Sequence, residues 1–326
     1  MKRFKNILVY ADGRLESSAA LERAVDLAIL NEGRLSVVAV LEELPRDLRR
    51  LAAAMPLEEL QRMAAEAMSE RLEALAGPFR ERAPSMELKV LSGRPFIEII
   101  RAVQRSQHDL VIVNEEGTGR FGQMVFGSLN LHLLRKCPCP VWVLKPSTSG
   151  DETSPPLAKP DFARILAAVD PDSSDVVREG VSRNVMELAV SLTLLEKGEL
   201  HVGNAWEFDE SKMSQGWQAL VPEAQLRDWG EQTRAAHEQR FQELLSLFDL
   251  EKVRHQVHLV KGQAGSVIPQ LAVENQIDLI IMGTVARTGI DGYLMGNTAE
   301  TVLQRVDCSV LTVKPDGFVG PVSPAD

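Results

Sequence analysis

Cysteine and aromatic residues are scarce in this chain of 326 residues, which holds three cysteines, four tryptophans, two tyrosines and ten phenylalanines. Cys137, Cys139 and Cys308 are too few for a disulfide framework. Dense runs of Lys and Arg are missing, and the formal net charge is −10. Nucleic acid and anionic membranes demand a basic patch, so neither is an expected partner. No segment approaches the roughly 20 apolar residues of a membrane-spanning helix. The opening "MKRFKNILVYADG" turns polar at Asp12, too early for a signal-peptide core. The composition carries no disorder signature. A cytoplasmic globular protein is the expectation.

What is present is a repeat. The length suggests about two domains, and "FKNILVYAD" at 4–12 matches "FARILAAVD" at 162–170 in register at Phe, Ile, Leu and Asp. Residues 92–146 also align without gaps on 261–315. That pairing sets Gly93 on Gly262, Asp109 on Asp278, Gly127 on Gly296, Cys139 on Cys308 and Lys145-Pro146 on Lys314-Pro315. Between the halves, residues 145–161 are rich in Pro, Ser, Thr and charge, which is linker composition. The expected division is a first domain over 1–146, a linker over 147–159, a second domain over 160–316 and a short tail over 317–326.

Each half alternates apolar strand-like runs with helical spacing. The strands are "NILVYA", "RLSVVAVL", "MELKVLSG", "DLVIVN" and "PVWVLKP", and in the second half "RILAAV", "ELHVGNAW", "RHQVHLVKG", "DLIIMG" and "SVLTVKP". Strands apolar throughout, interleaved with helices, predict a parallel sheet covered on both faces. The expected fold is therefore α/β: two tandem doubly wound five-stranded parallel-sheet domains. Ligands of such sheets sit outside the carboxyl ends of the strands, near a switch in strand order. Asp12, Asp170 and the loop after Gly283 fall at those ends.

These features resemble the universal stress protein family. The residues that carry the likeness are "GTVARTG" and "GNTAE" in the second half, "HLLRKCP" at 132–138 and "VLKP" in the first. The resemblance spans nearly the whole chain and implies an adenine-nucleotide-hydrolase-like fold with the two halves joined as an intramolecular pseudo-dimer. It also implies that the last strands pair across the join, Val141–Leu144 against Val310–Val313, hiding two sheet edges. Nucleotide-binding members use an Asp after the first strand on the ribose side and a backbone position ending the second strand near the base. Their phosphates lie on Gly, two residues, Gly, nine residues, Gly and Ser/Thr. Glycines admit close backbone approach, and helix-start amides with the helix dipole favour anions.

Carried over position by position, the second half offers Asp170 for ribose, Ala205 near the base, and Gly283, Ala286, Gly296, Asn297 and Thr298 for phosphate. Ala286 replaces the second glycine, and Asn297 stands where Ser/Thr is expected. The first half offers Asp12, Val40, Gly117, Gly127 and Ser128, with Asn114 in place of the first glycine. Glu115 and Glu116 lie in that loop, where their charge would oppose a triphosphate. The first loop is expected not to hold ATP. The second retains its geometry for ATP with magnesium, and Asp12 and Asp170 read equally as caps on the following helix.

Other residues carry bland readings. Cys137-Pro138-Cys139 lacks redox or zinc spacing and reads as packing. His132, His201, His237, His255 and His258 are scattered without ligand spacing, so no metal is expected. Trp206, Trp217 and Trp229 sit in a long variable region, where they line an apolar ligand pocket or anchor that region to the sheet. No P-loop, Ser-His-Asp elbow or nucleotidyl-transferase signature is legible, so no catalytic residue is assigned. Two functional readings stand. One is a stress-response protein that binds an adenine nucleotide in its second half and acts through an unidentified protein partner, with further association into a homodimer left open. The other is a scaffold that binds no nucleotide, or a binder of another, apolar small molecule.

Overall fold

A computed structural model describes residues 4–12, 18–43, 56–115, 127–145, 162–171, 175–208, 221–284 and 295–323. The linker, Glu116, Gly117, Trp217 and Ala286 lie outside these residues.

In the first half the elements run β1 (Asn6–Tyr10), α1 (Ser18–Asn31), β2 (Arg34–Leu41), α2 (Leu57–Ala76), β3 (Glu87–Ser92), α3 (Pro95–Ser106), β4 (Leu110–Asn114), α4 (Ser128–Lys136) and β5 (Val141–Leu144). The second half repeats the order with β6 (Arg164–Ala168), α5 (Val176–Glu196), β7 (Glu199–Trp206), α6 (Glu223–Ser246), β8 (Arg254–Lys261), α7 (Ala264–Glu274), β9 (Leu279–Gly283), α8 (Asn297–Arg305) and β10 (Ser309–Val313). The ten strands among the described residues form one sheet in the order β3-β2-β1-β4-β5-β10-β9-β6-β7-β8. Pairing is parallel within each half and antiparallel where β10 meets β5, with Val310 opposite Val143, Leu311 opposite Trp142 and Thr312 opposite Val141. The join expected between the last strands is the one observed.

Alternation along the strands explains why they are apolar throughout. Ile7 and Val9 face a core built with Leu21 and Ala24 of α1, Leu72 of α2, Met186 of α5 and Phe241 of α6. Leu8 faces the opposite core, with Ile99 of α3, Leu133 of α4, Leu271 of α7 and Val302 of α8. The inner strands are buried on both sides, so they carry no continuous polar stripe, whereas the edge strands β3 and β8 are partly exposed and keep polar residues.

The join is also polar and charged. Arg23, 1% exposed, pairs with Glu196 at 2.6 Å and lies over Trp142 and Phe162, 4.9 and 4.7 Å from the ring centroids. Two buried lysines, matched by the repeat, each cross the join. Lys145 Nζ donates to the Val306 carbonyl at 2.6 Å and sits 3.6 Å from Glu115. Lys314 Nζ donates to the Leu134 carbonyl and to Thr284 Oγ1, the latter at 2.6 Å. Residues 317–323, read from sequence as a tail, pack on the first half. Gln104 Nε2 donates to the Val322 carbonyl at 2.9 Å, and a Cβ at Gly320 would lie 2.2 Å from the Lys136 carbonyl oxygen.

Candidate functional site

The strand order switches beside β6, which has β7 on one side and β9 on the other. The crevice beyond these strand ends is where a doubly wound sheet places its ligand. A cavity of about 500 Å³ opens there, within the range of small-molecule sites. Asp170 enters it just after β6, Ala205 from the end of β7 and Gly283 from the end of β9. Gly296, Asn297 and Thr298 line it at the start of α8. Six residues named from the sequence of the second half thus converge on one cavity, and the seventh, Ala286, lies outside the described residues.

The loop ends are tied where the cavity needs them. Gly296 N donates to the Thr284 carbonyl at 3.1 Å, bringing the start of α8 beside the end of β9. Gly296 caps α8 without a side-chain cap, and Asn297 and Thr298 are exposed. The first-turn amides of such a helix have no intrahelical acceptor, and with the helix dipole they favour an anion. Ala168, Ile268, Met282 and Val302 give the cavity an apolar part of its lining.

Gly283 is required for packing. A Cβ there would lie 2.4 Å from Val181 Cγ1 of α5, and a β-branched side chain held in a helix cannot swing clear. Its glycine is therefore explained by the α5 contact without any phosphate.

Four polar residues of the cavity, Asp175, Arg178, Ser182 and Asn204, were missed by the sequence pattern. Arg178 donates to Asp170 at 3.0 Å and approaches Asp175 at 3.5 Å. Asp175 in turn caps α5 by accepting from the amides of Val177 and Arg178. Asn204, also in the lining, is 1% exposed and donates to the Val169 carbonyl at 2.9 Å. An Arg on the first turn of a helix carries no motif, and Asn204 sits inside an apolar strand. The clue for Asn204 was its polarity at a buried position.

The first half differs. Asp12 and Val40 stand after β1 and on β2, and Gly127 and Ser128 start α4. Glu115 corrects an expectation. Its carboxylate does not face a phosphate; the side chain is 5% exposed and turned into the join toward Lys145. Burial raises its pKa above the usual carboxylate range, against the opposing pull of Lys145.

Elsewhere, Cys137 and Cys139 are buried with their sulfurs 3.6 Å apart, and burial pushes the Cys308 thiol up to about 12. His201 and His258, distant in sequence, meet across β7 and β8 with Nδ1 and Nε2 3.0 Å apart. Burial lowers both pKa values. Pairing across strands is invisible to a spacing rule along the chain. Among the described residues no group of three metal-ligating side chains occurs, and no helix is long and apolar enough to cross a membrane. Trp206 is 8% exposed, with Lys261 5.6 Å from its ring centroid.

Comparison with known proteins places this geometry. The family model described as "Universal stress protein family" matches residues 3–145 and again 161–314. The chain is 26% identical to universal stress protein E of Photorhabdus laumondii, covering 100% of this chain and 99% of that protein. It is 28% identical to universal stress protein E of Escherichia coli K12, covering 99% and 98%. A functionally unknown protein of Pseudomonas aeruginosa PAO1 superposes with a TM-score of 0.65 at 26% identity, covering 96% of this chain and 93% of that one.

Proposed function

The chain belongs to the universal stress protein family, with two tandem domains, and we propose that its second half binds an adenine nucleotide, ATP with magnesium, and that the protein acts through contacts with other proteins. The observation that carries this reading is the convergence of Asp170, Ala205, Gly283, Gly296, Asn297 and Thr298 on one cavity. A carboxylate at one wall suits ribose hydroxyls, the uncapped start of α8 suits phosphate, and the apolar part of the lining suits a base. Asn297 retains an amide donor where the family pattern has a hydroxyl. Among the described residues of the cavity none is arranged as nucleophile and base, and the role we propose is binding and signalling.

Calorimetry of Mg-ATP with the full chain tests this, with Gly296→Val as the control. One site per chain, lost in the variant, is the expected result. No heat at millimolar ATP overturns it. The apolar part of the lining formed by Ala168, Ile268, Met282 and Val302 favours a second reading, an apolar ligand in the same cavity. That reading predicts a change in Trp206 fluorescence with an apolar probe and none with ATP.

A further inference from the structure

Away from the cavity lining, His201 of β7 and His258 of β8 form a hydrogen-bonded pair. Nδ1 of His201 lies 3.0 Å from Nε2 of His258, and the ring planes are 2° from parallel. His201 is 2% exposed, and its Nε2 is buried with no partner among the described residues. A proton on that nitrogen would be a buried donor without an acceptor. The neutral His201 ring therefore carries its proton on Nδ1 and donates to Nε2 of His258. One hydrogen joins the rings, and an added one has no good place. On Nε2 of His201 it is buried and unpaired. On Nε2 of His258 it sets two N–H groups face to face.

The first half provides the contrast. The bond from Ala11 N to the Val38 carbonyl matches the bond from Val169 N to the Gly203 carbonyl, so Val38 corresponds to Gly203 and Ser36 to His201. Val38 stands opposite Lys89 and Gly203 opposite His258, so Lys89 takes the place of His258. Ser36 instead meets the buried His108, whose Nε2 is 3.2 Å from Ser36 Oγ and whose Nδ1 is 3.2 Å from the Ala102 carbonyl oxygen. A hydroxyl both donates and accepts, so it turns to receive a proton added to Nε2. Charged His108 thus keeps both of its bonds, and the charged His201–His258 pair does not.

The pair sits where two walls of the cavity are held together. His201 and Gly203 face the same side of the sheet. A Cβ at Gly203 would lie 3.2 Å from Leu271 Cδ1 and 3.6 Å from Ile268 Cδ1, so α7 rests on β7 beside the pair. Ala264 and Ile268 of α7 line the cavity, as do Asn204 and Ala205 of β7. β8 ends the sheet and is partly exposed. We propose that the His201–His258 pair is an acid-sensitive latch that holds β8 and α7 against β7, so that acid loosens this wall of the cavity while the first half keeps its packing. Burial lowers both pKa values from the ordinary 6.5. Of the charged groups facing the rings, Glu199 of β7 favours a cation on His201 and Arg164 of β6 opposes it, while Glu274 of α7 favours one on His258. Unfolded rings take protons near 6.5 and the folded pair only at lower pH. The stability that the pair contributes is therefore full above 6.5 and is lost as pH falls below it. The latch is independent of which ligand the cavity takes.

Hydrogen–deuterium exchange of the full chain without ligand, at about pH 7.5 and about pH 5.5 and corrected for intrinsic rates, tests it. Amides of β8 and α7 are expected to lose protection by about tenfold at the lower pH, and those of β3 and α3 by less than about twofold. The double substitution His201→Gln with His258→Gln removes both titrating rings and leaves two amides able to bond across the strands. It is expected to abolish the difference between the halves. Ring-proton NMR of the wild type is expected to show both histidines titrating below 6.5. Equal loss of protection in both halves overturns the latch, as does an acid loss in β8 and α7 that persists in the double variant. A His201 ring that titrates at 6.5 also overturns it, and the wild-type measurements decide even where the variant does not fold.

Discussion

The two halves share one fold and differ where a ligand would sit. In the first, the residue after β4 is Glu115, which is turned into the join toward Lys145. In the second, the matched residue is Thr284, whose hydroxyl accepts from Lys314 and whose carbonyl accepts from Gly296. Thr284 thus serves the join and the cavity edge at once. On β2 and β7 the same contrast recurs, with a buried Ala39 in one half and a buried Asn204 in the other. Arg178 ties Asp170 to the cap of α5. The repeat has therefore conserved the sheet and the crossed lysines while letting the polar groups of the two crevices diverge. A duplicated fold keeps the contacts that close its join, because losing one partner of a buried pair strands the other.

Breaking the join should have the largest effect. Arg23→Ala leaves Glu196 with its charge buried and unpaired, and should destabilise the chain by about 3–5 kcal/mol. Urea unfolding of variant and wild type measures it, and a loss below 1 kcal/mol would show that the halves do not depend on this pair.

The next effect concerns Lys314 and pH. Burial lowers the Lys314 pKa to about 8 from an unfolded value of 10.5. Between those values the unfolded chain holds more protons, so stability rises with pH across the window. The penalty of burying the cation is full below about 8 and gone above 10.5. The gain is up to about 3 kcal/mol. Lys314→Met should remove that slope in unfolding curves taken from pH 7.5 to 10. A slope unchanged by the substitution would place the titrating group elsewhere.

The smallest effect sharpens the contrast between crevices. Gly127→Val, the counterpart of Gly296→Val, should leave Mg-ATP affinity at its wild-type value. A loss of heat in that variant would move the nucleotide, or a second one, to the first half.

Much of this was legible along the chain. Strands apolar throughout require cover on both faces, so the α/β class followed from pattern alone; the matched registers gave the duplication, and the pseudo-dimer came from the family resemblance. Asp170 and the loop after Gly283 were readable at the cavity because a doubly wound sheet gathers its strand ends at the switch in order, while Ala205, Gly296, Asn297 and Thr298 came from the family resemblance. Other features were hidden because they depend on direction and distance. Glu115 reads as a loop carboxylate, yet its side chain turns into the join. Gly283 reads as a phosphate glycine, yet Val181 of α5 already demands it. Residues 317–323 read as a tail, yet they lie against Lys136 and Gln104 of the other half.

Periodicity and repetition by themselves determined the element order, the division into halves and the side of the sheet that carries the crevice. Those properties depend on which residues are apolar and at what spacing, and spacing is written in the chain. Only the tertiary structure decided which charges are spent inside the join and which face the cavity. Lys145 and Glu115, Arg23 and Glu196, Arg178 and Asp170, and His201 and His258 meet through the packing of separate elements. The balance between desolvation and pairing is set at that contact, and for these pairs spacing along the chain did not announce it.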